Sequence, residues 1–363
     1  MRRTGPIIAY TSGHGFGHGA RTGQMLRAVQ RLAPACPIMV RTATPSWLYP
    51  STAECVRVQT DVGIVQVDSL TPCIDETVDR ALAFERARPG LATAECEALA
   101  GLQPRLVVSD IPPLAFDVAS TLGVPSVAIG NFNWSWIYRN MGSDRPEIAE
   151  IVASIERSEQ RADLLLRLPM HDEMRAFRRI EDAPLIAHIS DADRDVTRQK
   201  ITRADARPLA LVSFGGMGLR SLDLSALANT PEAIFVLTSE PASRPPDNVV
   251  VCTDDRIPYH DVLAACDVVI MKPGYGTVAD CLANRVPMVY STRPGFAEEQ
   301  ILVPAMHAMG RAVFVSNDDL FAGRLGPAIQ EAIHLTTPWE PVPRDGADQI
   351  ARRLLEVAGT SPD

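Results

Sequence analysis

The chain has 363 residues, of which 46% are hydrophobic and 22% are charged, as expected for a globular protein with a large core. This composition excludes a fibre, a disordered chain and a small disulfide scaffold. The 44 acidic residues outnumber the 35 basic residues and give a net charge of −9. Because the sequence has no basic stripe to offset that charge, we expect no nucleic-acid partner.

The spacing of the cysteines and the length of the apolar runs indicate the cellular compartment. The seven cysteines are spread singly, without the spacing of a zinc site or a redox pair, and we expect reduced thiols in the core. No apolar run approaches the roughly 20 residues of a membrane span, and the apolar stretch after Met1-Arg2-Arg3 is too short for a signal peptide. We expect a cytoplasmic protein. The basic residues include only two lysines, Lys200 and Lys272, an arginine bias typical of GC-rich bacterial genomes.

Short β-branched runs alternate with helical patterns in the first half of the chain. This alternation predicts a parallel sheet with crossover helices. The predicted strands are 6–11, 38–42, 106–109, 126–130 and 164–168, and the predicted helices include 22–32 and 114–122.

The same alternation restarts after the charged segment 191–207, which we interpret as a linker closed by Pro208. The predicted strands of the second half are 209–214, 233–238, 249–252, 268–271 and 288–290, and 348–358 is predicted as an amphipathic helix. We therefore expect an α/β protein with Rossmann-like domains over 1–190 and 208–340. A C-terminal helix over 345–360 is expected to return to the first domain. Two doubly wound halves place a cleft at the carboxyl ends of both sheets.

A glycine-rich segment, Gly13-His14-Gly15-Phe16-Gly17-His18-Gly19, follows the first strand. Its glycines permit a tight turn and leave a helix N-terminus open to a polar or anionic ligand. The spacing differs from G-x-G-x-x-G and the second strand ends in Arg41-Thr42 without an acid, which disfavours a nicotinamide site and an oxidoreductase. Histidine suits general-base catalysis near neutral pH, so His14 and His18 are candidate bases. A purely structural turn is the alternative.

Two further glycine turns follow strands of the second half. The first, Gly215-Gly216-Met217-Gly218, is compatible with a phosphate site or with a plain βα turn. The second carries Lys272 and Thr277 between a strand and a helix, where backbone N–H groups, the helix dipole and the lysine can hold a diphosphate without a metal. Asp280 is placed in the first turn of that helix, where it binds a ribose diol or stabilises the helix dipole.

Three other patterns are candidate ligand contacts. The segment after strand 288–290 contains Glu298, Glu299 and Gln300. These side chains are suited to hydrogen-bonding sugar hydroxyls, and the alternative is that they begin a solvated helix. The aromatic residues of 132–138 alternate as in a strand or loop, and they stack an acceptor or pack a domain interface. The D-x-D pattern at 191–193 lies in the linker, so no metal site is expected.

This order of elements resembles the GT-B glycosyltransferases, inverting enzymes that move a sugar from a nucleotide diphosphate to an acceptor. Segment 258–300 resembles the donor-binding signature of the UDP-glycosyltransferases and of the peptidoglycan N-acetylglucosaminyltransferases. Segments 12–18, 109–110, 131–134, 167–169 and 272–277 resemble the glycosyltransferase-like N-terminal half of plant L-arabinokinases. The resemblance does not extend to a sugar kinase.

The resemblance implies roles for individual residues. His18 is the expected general base, with His14 less favoured, and Asp110 orients His18 or binds the acceptor. The expected donor-binding residues are Gly17, Gly215, Gly216, Arg256, Ile257, Lys272, Gly274, Tyr275, Gly276, Thr277, Asp280, Glu298, Glu299 and Gln300. The expected acceptor-binding residues are Asn131, Asn133, Trp134 and Trp136. Arg256 stands where plant members stack a tryptophan on the base, which leaves the nucleotide open.

The implied function is transfer of a sugar from a nucleoside-diphosphate sugar, with UDP favoured, to a small-molecule acceptor in bacterial specialised metabolism. No cofactor and no metal are expected. Two alternatives stay open: a nucleotide-sugar-binding protein without transfer, and a GT-B-like nucleotide-sugar epimerase. The acceptor is a natural-product aglycone, a nucleobase, a sugar or a lipid head group.

Overall fold

Two parallel β-sheets, one in each half of the chain, form the framework of the protein. The computed structural model describes residues 4–203, 205–215 and 223–360. The elements of the first half are β1 (Ile7–Thr11), α1 (Phe16–Leu32), β2 (Ile38–Thr42), β3 (Glu54–Arg57), β4 (Gln66–Asp68), β5 (Thr71–Pro72), α2 (Ile74–Leu99), β6 (Leu106–Asp110), α3 (Leu114–Leu122), β7 (Ser126–Gly130), α4 (Trp134–Asn140), α5 (Glu147–Glu159), β8 (Leu164–Arg167) and β9 (Ile180–Asp182).

The first sheet has seven strands in the order β3-β2-β1-β6-β7-β8-β9. All neighbours are parallel, and Thr11 at the end of β1 pairs with Asp110 at the end of β6. The central strands are buried along their whole length, which explains their continuous apolar runs. Because the strands are parallel, the segments that follow β1, β6, β7 and β8 all lie at one edge, here called the carboxyl edge.

The second half repeats this organisation. Its elements are α6 (Arg194–Thr202), β10 (Leu209–Ser213), β11 (Ile234–Leu237), β12 (Val249–Val251), α7 (Tyr259–Ala265), β13 (Val268–Met271), α8 (Tyr275–Asn284), β14 (Met288–Tyr290), α9 (Glu299–Met309), β15 (Ala312–Phe314), α10 (Asn317–Phe321), α11 (Gly326–His334) and α12 (Gly346–Val357). Six of these strands form a parallel sheet in the order β12-β11-β10-β13-β14-β15. Short 3₁₀ helices cover Ser46–Leu48, Ala100–Leu102 and Leu224–Asn229.

The last helix, α12, packs against the first half. Ile350, Leu354 and Leu355 are buried in the same apolar cluster as Ile7 of β1 and Leu26 of α1. Apolar burial of this kind stabilises by about 25 cal/mol per Å², so the end of the chain contributes directly to the core around α1.

A hairpin of β4 and β5 crosses between the two halves. Leu70 at its tip is buried in an apolar cluster of the second half with Phe235, and the Ser69 hydroxyl donates to the carbonyl oxygen of Phe214 at 2.6 Å. The two halves are therefore joined by this hairpin, by the chain between β9 and β10 and by the chain between α11 and α12.

Several predicted elements differ from the structure. The prediction of helix 22–32 was wrong at its start, because α1 begins at Phe16 and includes two of the glycines assigned to a loop. The predicted linker contains α6, which Asp193 caps by accepting from the backbone N–H of Val196 at 2.9 Å. The aromatic segment after β7 is helix α4 rather than a strand or loop. Short edge strands β3, β9 and β15 and the hairpin were not predicted.

Among the described residues, none of the helices is both long and apolar enough to cross a membrane.

The packing of α1 on the segment after β2 predicts opposite effects for two helical glycines. A Cβ at Gly23 would overlap the backbone carbonyl oxygen of Leu48, whereas a Cβ at Gly90 in α2 meets no atom within 4 Å. We expect Gly23→Ala to lower the free energy of unfolding by about 1–3 kcal/mol and Gly90→Ala to raise it by about 0.5–1 kcal/mol. Urea denaturation followed by circular dichroism measures both, and equal effects would contradict the contact with Leu48.

Candidate active site

A histidine and an aspartate form a hydrogen-bonded pair at the carboxyl edge of the first sheet. His18 lies in the first turn of α1, and Asp110 is the last residue of β6. The Nδ1 atom of His18 lies 2.8 Å from Oδ1 of Asp110, and both side chains are about nine-tenths or more buried. The strand register therefore joins two residues that are far apart in the sequence.

Asp110 is held by three neighbours. Arg21 donates to both carboxylate oxygens, from Nη2 at 2.5 Å and from Nε at 3.0 Å, and the Thr22 hydroxyl donates to Oδ2 at 2.9 Å. Burial raises the pKa of Asp110, but the charges and hydrogen bonds of Arg21 and His18 lower it by more. The pKa of Asp110 therefore lies well below its usual range. Asp110 is therefore a carboxylate at physiological pH.

The ionised Asp110 sets the tautomer of His18. A carboxylate accepts hydrogen bonds only, so Nδ1 of His18 must carry the proton that lies between the two side chains. The other ring nitrogen, Nε2, then holds a free lone pair, and the described residues give it no hydrogen-bond partner. This arrangement leaves Nε2 able to accept a proton from a ligand.

The backbone beside Asp110 is strained. Ile111 has a φ of 68°, which is rare for a β-branched residue. Its side chain also requires a glycine on the next strand, because a Cβ at Gly130 would lie 2.7 Å from Cγ2 of Ile111. Strain of this kind concentrates at functional sites, where surrounding contacts hold the backbone in place.

Aromatic side chains form the wall behind His18. The rings of Phe132 and Trp134 lie 5.7 and 6.3 Å from the His18 ring, centroid to centroid, and both are almost fully buried. Trp134 donates from Nε1 to Asp61 at 2.8 Å and stacks on Tyr138. These rings pack the wall of the site, and Trp136, which is partly exposed, is the more accessible of the predicted acceptor residues.

His14 has different surroundings from His18. Its Nε2 atom lies 3.1 Å from the side-chain nitrogen of Gln66 on the hairpin, and its ring meets Trp134 edge-on. Burial, then the charges of His18, Lys272 and Arg293, lower the pKa of His14 to about 3. His14 is therefore neutral at physiological pH, and a carboxylate orients His18 rather than His14.

The two asparagines predicted to bind the acceptor are buried and bonded to the protein. Asn131 accepts a short hydrogen bond from Arg21 and donates to the carbonyl oxygen of Pro169 at 2.5 Å. Asn133 caps α4 by accepting from the N–H of Trp136 at 3.0 Å. It also donates to Oε2 of Glu159 at 3.0 Å.

The turn between β13 and α8 faces the first half of the chain. A Cβ on Gly276 would lie 3.9 Å from Cα of Gly17, so the first turns of α1 and α8 meet across the cleft. Helix N-termini attract anions because their backbone N–H groups are unpaired and their dipoles are positive there. Two such ends at this distance form a site suited to a negatively charged group.

Lys272 adds a titratable charge to this turn. A Cβ on Gly215, at the end of β10, would lie 3.7 Å from Cε of Lys272. Burial, then the nearby charge of Arg293, lowers the pKa of Lys272 to about 7, against the opposing effect of Glu298 and Asp68. A group with this pKa becomes more basic when an anion binds beside it.

The carboxylates after β14 hold an arginine. Glu299 accepts from both the backbone N–H and Nε of Arg293, at 2.7 and 3.2 Å, and Glu298 lies 3.8 Å from Nη2 of Arg293. The guanidinium also donates to the carbonyl oxygen of Pro273 at 2.6 Å and covers the ring of Phe296. Glu299 is therefore bound within the protein, whereas Oε2 of Glu298 is buried without a partner among the described residues.

The other predicted donor residues occupy varied positions. Asp280 lies in the second turn of α8, not the first, and accepts from the backbone N–H of His188 at 2.7 Å. Ile257 and Thr277 are half-buried, whereas Arg256 and Gln300 are exposed. Gly274 and Tyr275 begin α8. Gly216 lies outside the described residues.

Sequence reasoning missed Arg21, Arg293, Glu159 and Asp172. Arg21 lies three residues after His18, one helical turn along the same face, so an earlier helix start would have indicated it. The others are brought to the site by tertiary packing and have no local pattern.

Two curated relatives match the chain, and no family model does. An L-arabinokinase of Arabidopsis thaliana is 29% identical over an alignment of 361 residues, and the match covers 96% of this chain and 34% of the relative. The chain thus spans about a third of that protein's length. An uncharacterised glycosyltransferase of Methanopyrus kandleri is 25% identical over 275 residues, covering 70% of this chain and 76% of the relative.

Solved structures match nearly the whole chain. CalG4, the calicheamicin glycosyltransferase, has a TM-score of 0.64 at 19% identity and covers 99% of this chain and 96% of its own. The chain has the GT-B fold. The glycosyltransferase SnogD from Streptomyces nogalater matches this GT-B chain with a TM-score of 0.56 at 17% identity, over 98% of this chain and all of its own. Phytolacca americana UGT2, complexed with UDP-2-fluoroglucose and pterostilbene, has a TM-score of 0.60 at 14% identity, with coverages of 98% and 94%. The predicted fold class is confirmed.

The buried carboxyl of Glu159 predicts a pH-dependent stability. Burial, opposed by a hydrogen bond from Ser135 and reinforced by the charges of Glu156 and Asp172, raises the pKa of Glu159 to about 8. The unfolded chain loses this proton near pH 4.3, so the folded form loses stability as the pH rises towards 8. We expect Glu159→Gln to gain about 1.4 kcal/mol relative to the wild type for each pH unit between 5 and 8.

Urea denaturation at pH 5 and pH 8 measures this difference. The exposed Glu97 provides the control Glu97→Gln, for which we expect the same difference from the wild type at both pH values. If the difference in unfolding free energy between Glu159→Gln and the wild type were the same at pH 5 and pH 8, Glu159 would be ionised in the folded protein.

Proposed function

We propose that the protein transfers a sugar from a nucleoside-diphosphate sugar, with UDP as the favoured nucleotide, to a small-molecule acceptor. The observation that carries this proposal is the His18–Asp110 pair facing the first turn of α8 across the cleft. The shared fold supports it, since CalG4 and SnogD are named glycosyltransferases and UGT2 is complexed with a UDP-sugar analogue. The arginine bias and the likeness to CalG4 also support an origin in bacterial specialised metabolism.

In this mechanism His18 is the general base. The acceptor hydroxyl gives its proton to Nε2 of His18 while its oxygen attacks the anomeric carbon. The new bond forms on the face opposite the leaving nucleotide, so the configuration inverts. The imidazolium that forms is stabilised by Asp110. All the side-chain hydrogen bonds described for Asp110 are accepted from Arg21, Thr22 and His18, which favours an orienting role over acceptor binding.

The leaving diphosphate takes the electron pair of the broken bond. Its growing negative charge meets the N-terminus of α8, the N-terminus of α1 and the ammonium of Lys272. Positive groups fixed in place before the reaction stabilise such a charge at the least cost in reorganisation. We propose that these groups suffice without a metal ion.

Removal of the base is expected to abolish transfer and spare binding. We expect His18→Ala to lower kcat by about 100- to 10,000-fold, the usual contribution of a general base, and to leave the Kd for UDP unchanged. Release of UDP from UDP-sugars with a panel of acceptors measures kcat, and calorimetry measures Kd. The exposed His334 provides the control His334→Ala, which should retain full activity.

The same assay separates the alternatives. Transfer by His18→Ala at the wild-type rate would refute His18 as the base. Nucleotide binding without any product would favour a binding protein, and conversion of the donor without an acceptor would favour an epimerase.

Lys272 predicts that donor binding depends on pH. The ammonium form binds the diphosphate more tightly, and its pKa in the free protein is about 7. We expect the Kd for UDP-glucose, whose phosphates do not titrate in this range, to rise between pH 6 and pH 8.5. We expect Lys272→Met to weaken binding at pH 6 and to remove the dependence.

Isothermal titration calorimetry at the two pH values tests this prediction. The other lysine of the chain, Lys200, provides the matched control Lys200→Met, which should keep the wild-type dependence. A dependence that persists in Lys272→Met would place the titrating group elsewhere.

A further inference from the structure

A pocket of about 390 Å³ lies between α4, α5 and the segment after β8. This volume is within the range of small-molecule sites, roughly 300–1,000 Å³. Most of its lining side chains are polar or charged, including Asn133, Ser135 and Asp172, and Trp136 adds an aromatic surface. Pockets for flat apolar ligands are lined mainly by apolar groups, so the walls favour a hydroxylated ligand.

The segment that carries Asp172 is held in an unusual conformation. Met170 and Met174 have φ values of 60° and 45°, in the left-handed region that larger side chains seldom adopt. The segment is tied to Asn131, which donates to Pro169 and accepts from the backbone N–H of Asp172 at 3.3 Å. These contacts hold the Asp172 carboxylate in the pocket wall.

One carboxylate oxygen in the lining of this pocket is buried without a hydrogen-bond partner among the described residues. Oδ2 of Asp172 accepts from the N–H of Met174 at 3.2 Å, but Oδ1 is unpartnered. Buried polar atoms are normally paired, so the pocket lacks a hydrogen-bond donor that a ligand would supply.

The lining of the pocket adjoins a residue that contacts both His18 and α8. Asn133 follows β7 and Asp172 follows β8, one and two strands from β6, which carries Asp110. Asn133 directly follows Phe132, whose ring lies 5.7 Å from the ring of His18, centroid to centroid. Tyr275, the first residue of α8, packs on Phe132 at 5.3 Å and also has a buried hydroxyl without a described partner.

We propose that this pocket binds the acceptor and selects a polyhydroxylated or amine-bearing compound, such as a sugar, a cyclitol or an amino sugar, over a flat apolar aglycone. This proposal rests on the proposed function. Asp172 Oδ1 accepts a hydrogen bond from a hydroxyl or ammonium group of the acceptor, and a neighbouring hydroxyl reaches Nε2 of His18. A site built to pair with such a group discriminates strongly against analogues that lack it, because its own polar atoms would stay unpaired.

The test measures binding and transfer separately. Saturation-transfer NMR without a donor is recorded with myo-inositol, glucose, glucosamine and quercetin, each at millimolar concentration. For the polar compounds that bind, we expect Asp172→Asn to raise Kd about 10- to 100-fold, as for the loss of a charge-assisted hydrogen bond. Asparagine retains an acceptor for the N–H of Met174. The exposed Asp144 gives the matched control Asp144→Asn, which should leave Kd unchanged.

Each outcome decides between the claims. Binding of quercetin alone, binding of none of the polar compounds, or polar binding that Asp172→Asn does not weaken would overturn the acceptor class. A greater loss with glucosamine than with myo-inositol would identify an ammonium as the group bound. Polar binding that depends on Asp172, without transfer from any nucleotide sugar, would uphold the pocket and refute the transferase. Transfer to quercetin that is unaffected by Asp172→Asn would uphold the transferase and refute the role of the pocket.

Discussion

The buried carboxylate of Asp110 is the interaction on which the site in the first half depends. A buried charge is tolerated only when it is paired and hydrogen-bonded, and Arg21, Thr22 and His18 together satisfy both oxygens. Arg21 also binds Asn131, which in turn holds the segment after β8 through Pro169. One continuous hydrogen-bond network therefore runs from His18 on α1 to the segment after β8, so the same hydrogen bonds set the positions of His18 and of the pocket wall.

Much of the fold was predictable because buried parallel strands read as short apolar runs. Strands β2, β7, β13 and β14 and helix α3 have the predicted bounds. The start of α1 was missed because glycines disfavour helices in isolation, whereas here close packing on Leu48 requires a glycine. Helix α6 was taken for a linker because its residues are mostly polar and exposed. Edge strands such as β9 are three residues long and too short to show a period.

The candidate site likewise contains residues that the sequence predicts and residues that only the structure reveals. Residues that directly follow strands, such as Lys272, were found from position, and His18 was found from the glycine pattern. Asp172 and Glu159 follow no motif, because their significance comes from unpaired oxygens and a strained backbone that only the folded chain reveals. Glu299 was predicted to bind the donor sugar, and the structure adds a contact with Arg293, a residue whose burial is not visible in the sequence.

The hairpin of β4 and β5 bears on how the two halves move. With Leu70 in the second core and Ser69 bonded to Phe214, the hairpin tip belongs mechanically to the second half although its sequence belongs to the first. A rigid-body opening of the cleft would therefore bend the chain at the base of the hairpin, between β9 and β10, and between α11 and α12, because α12 returns to the first core. Three connections restrict the relative rotation of the halves more than a single linker would. Gln66, bonded to His14, lies at the base of the hairpin and links it to the glycine-rich turn after β1.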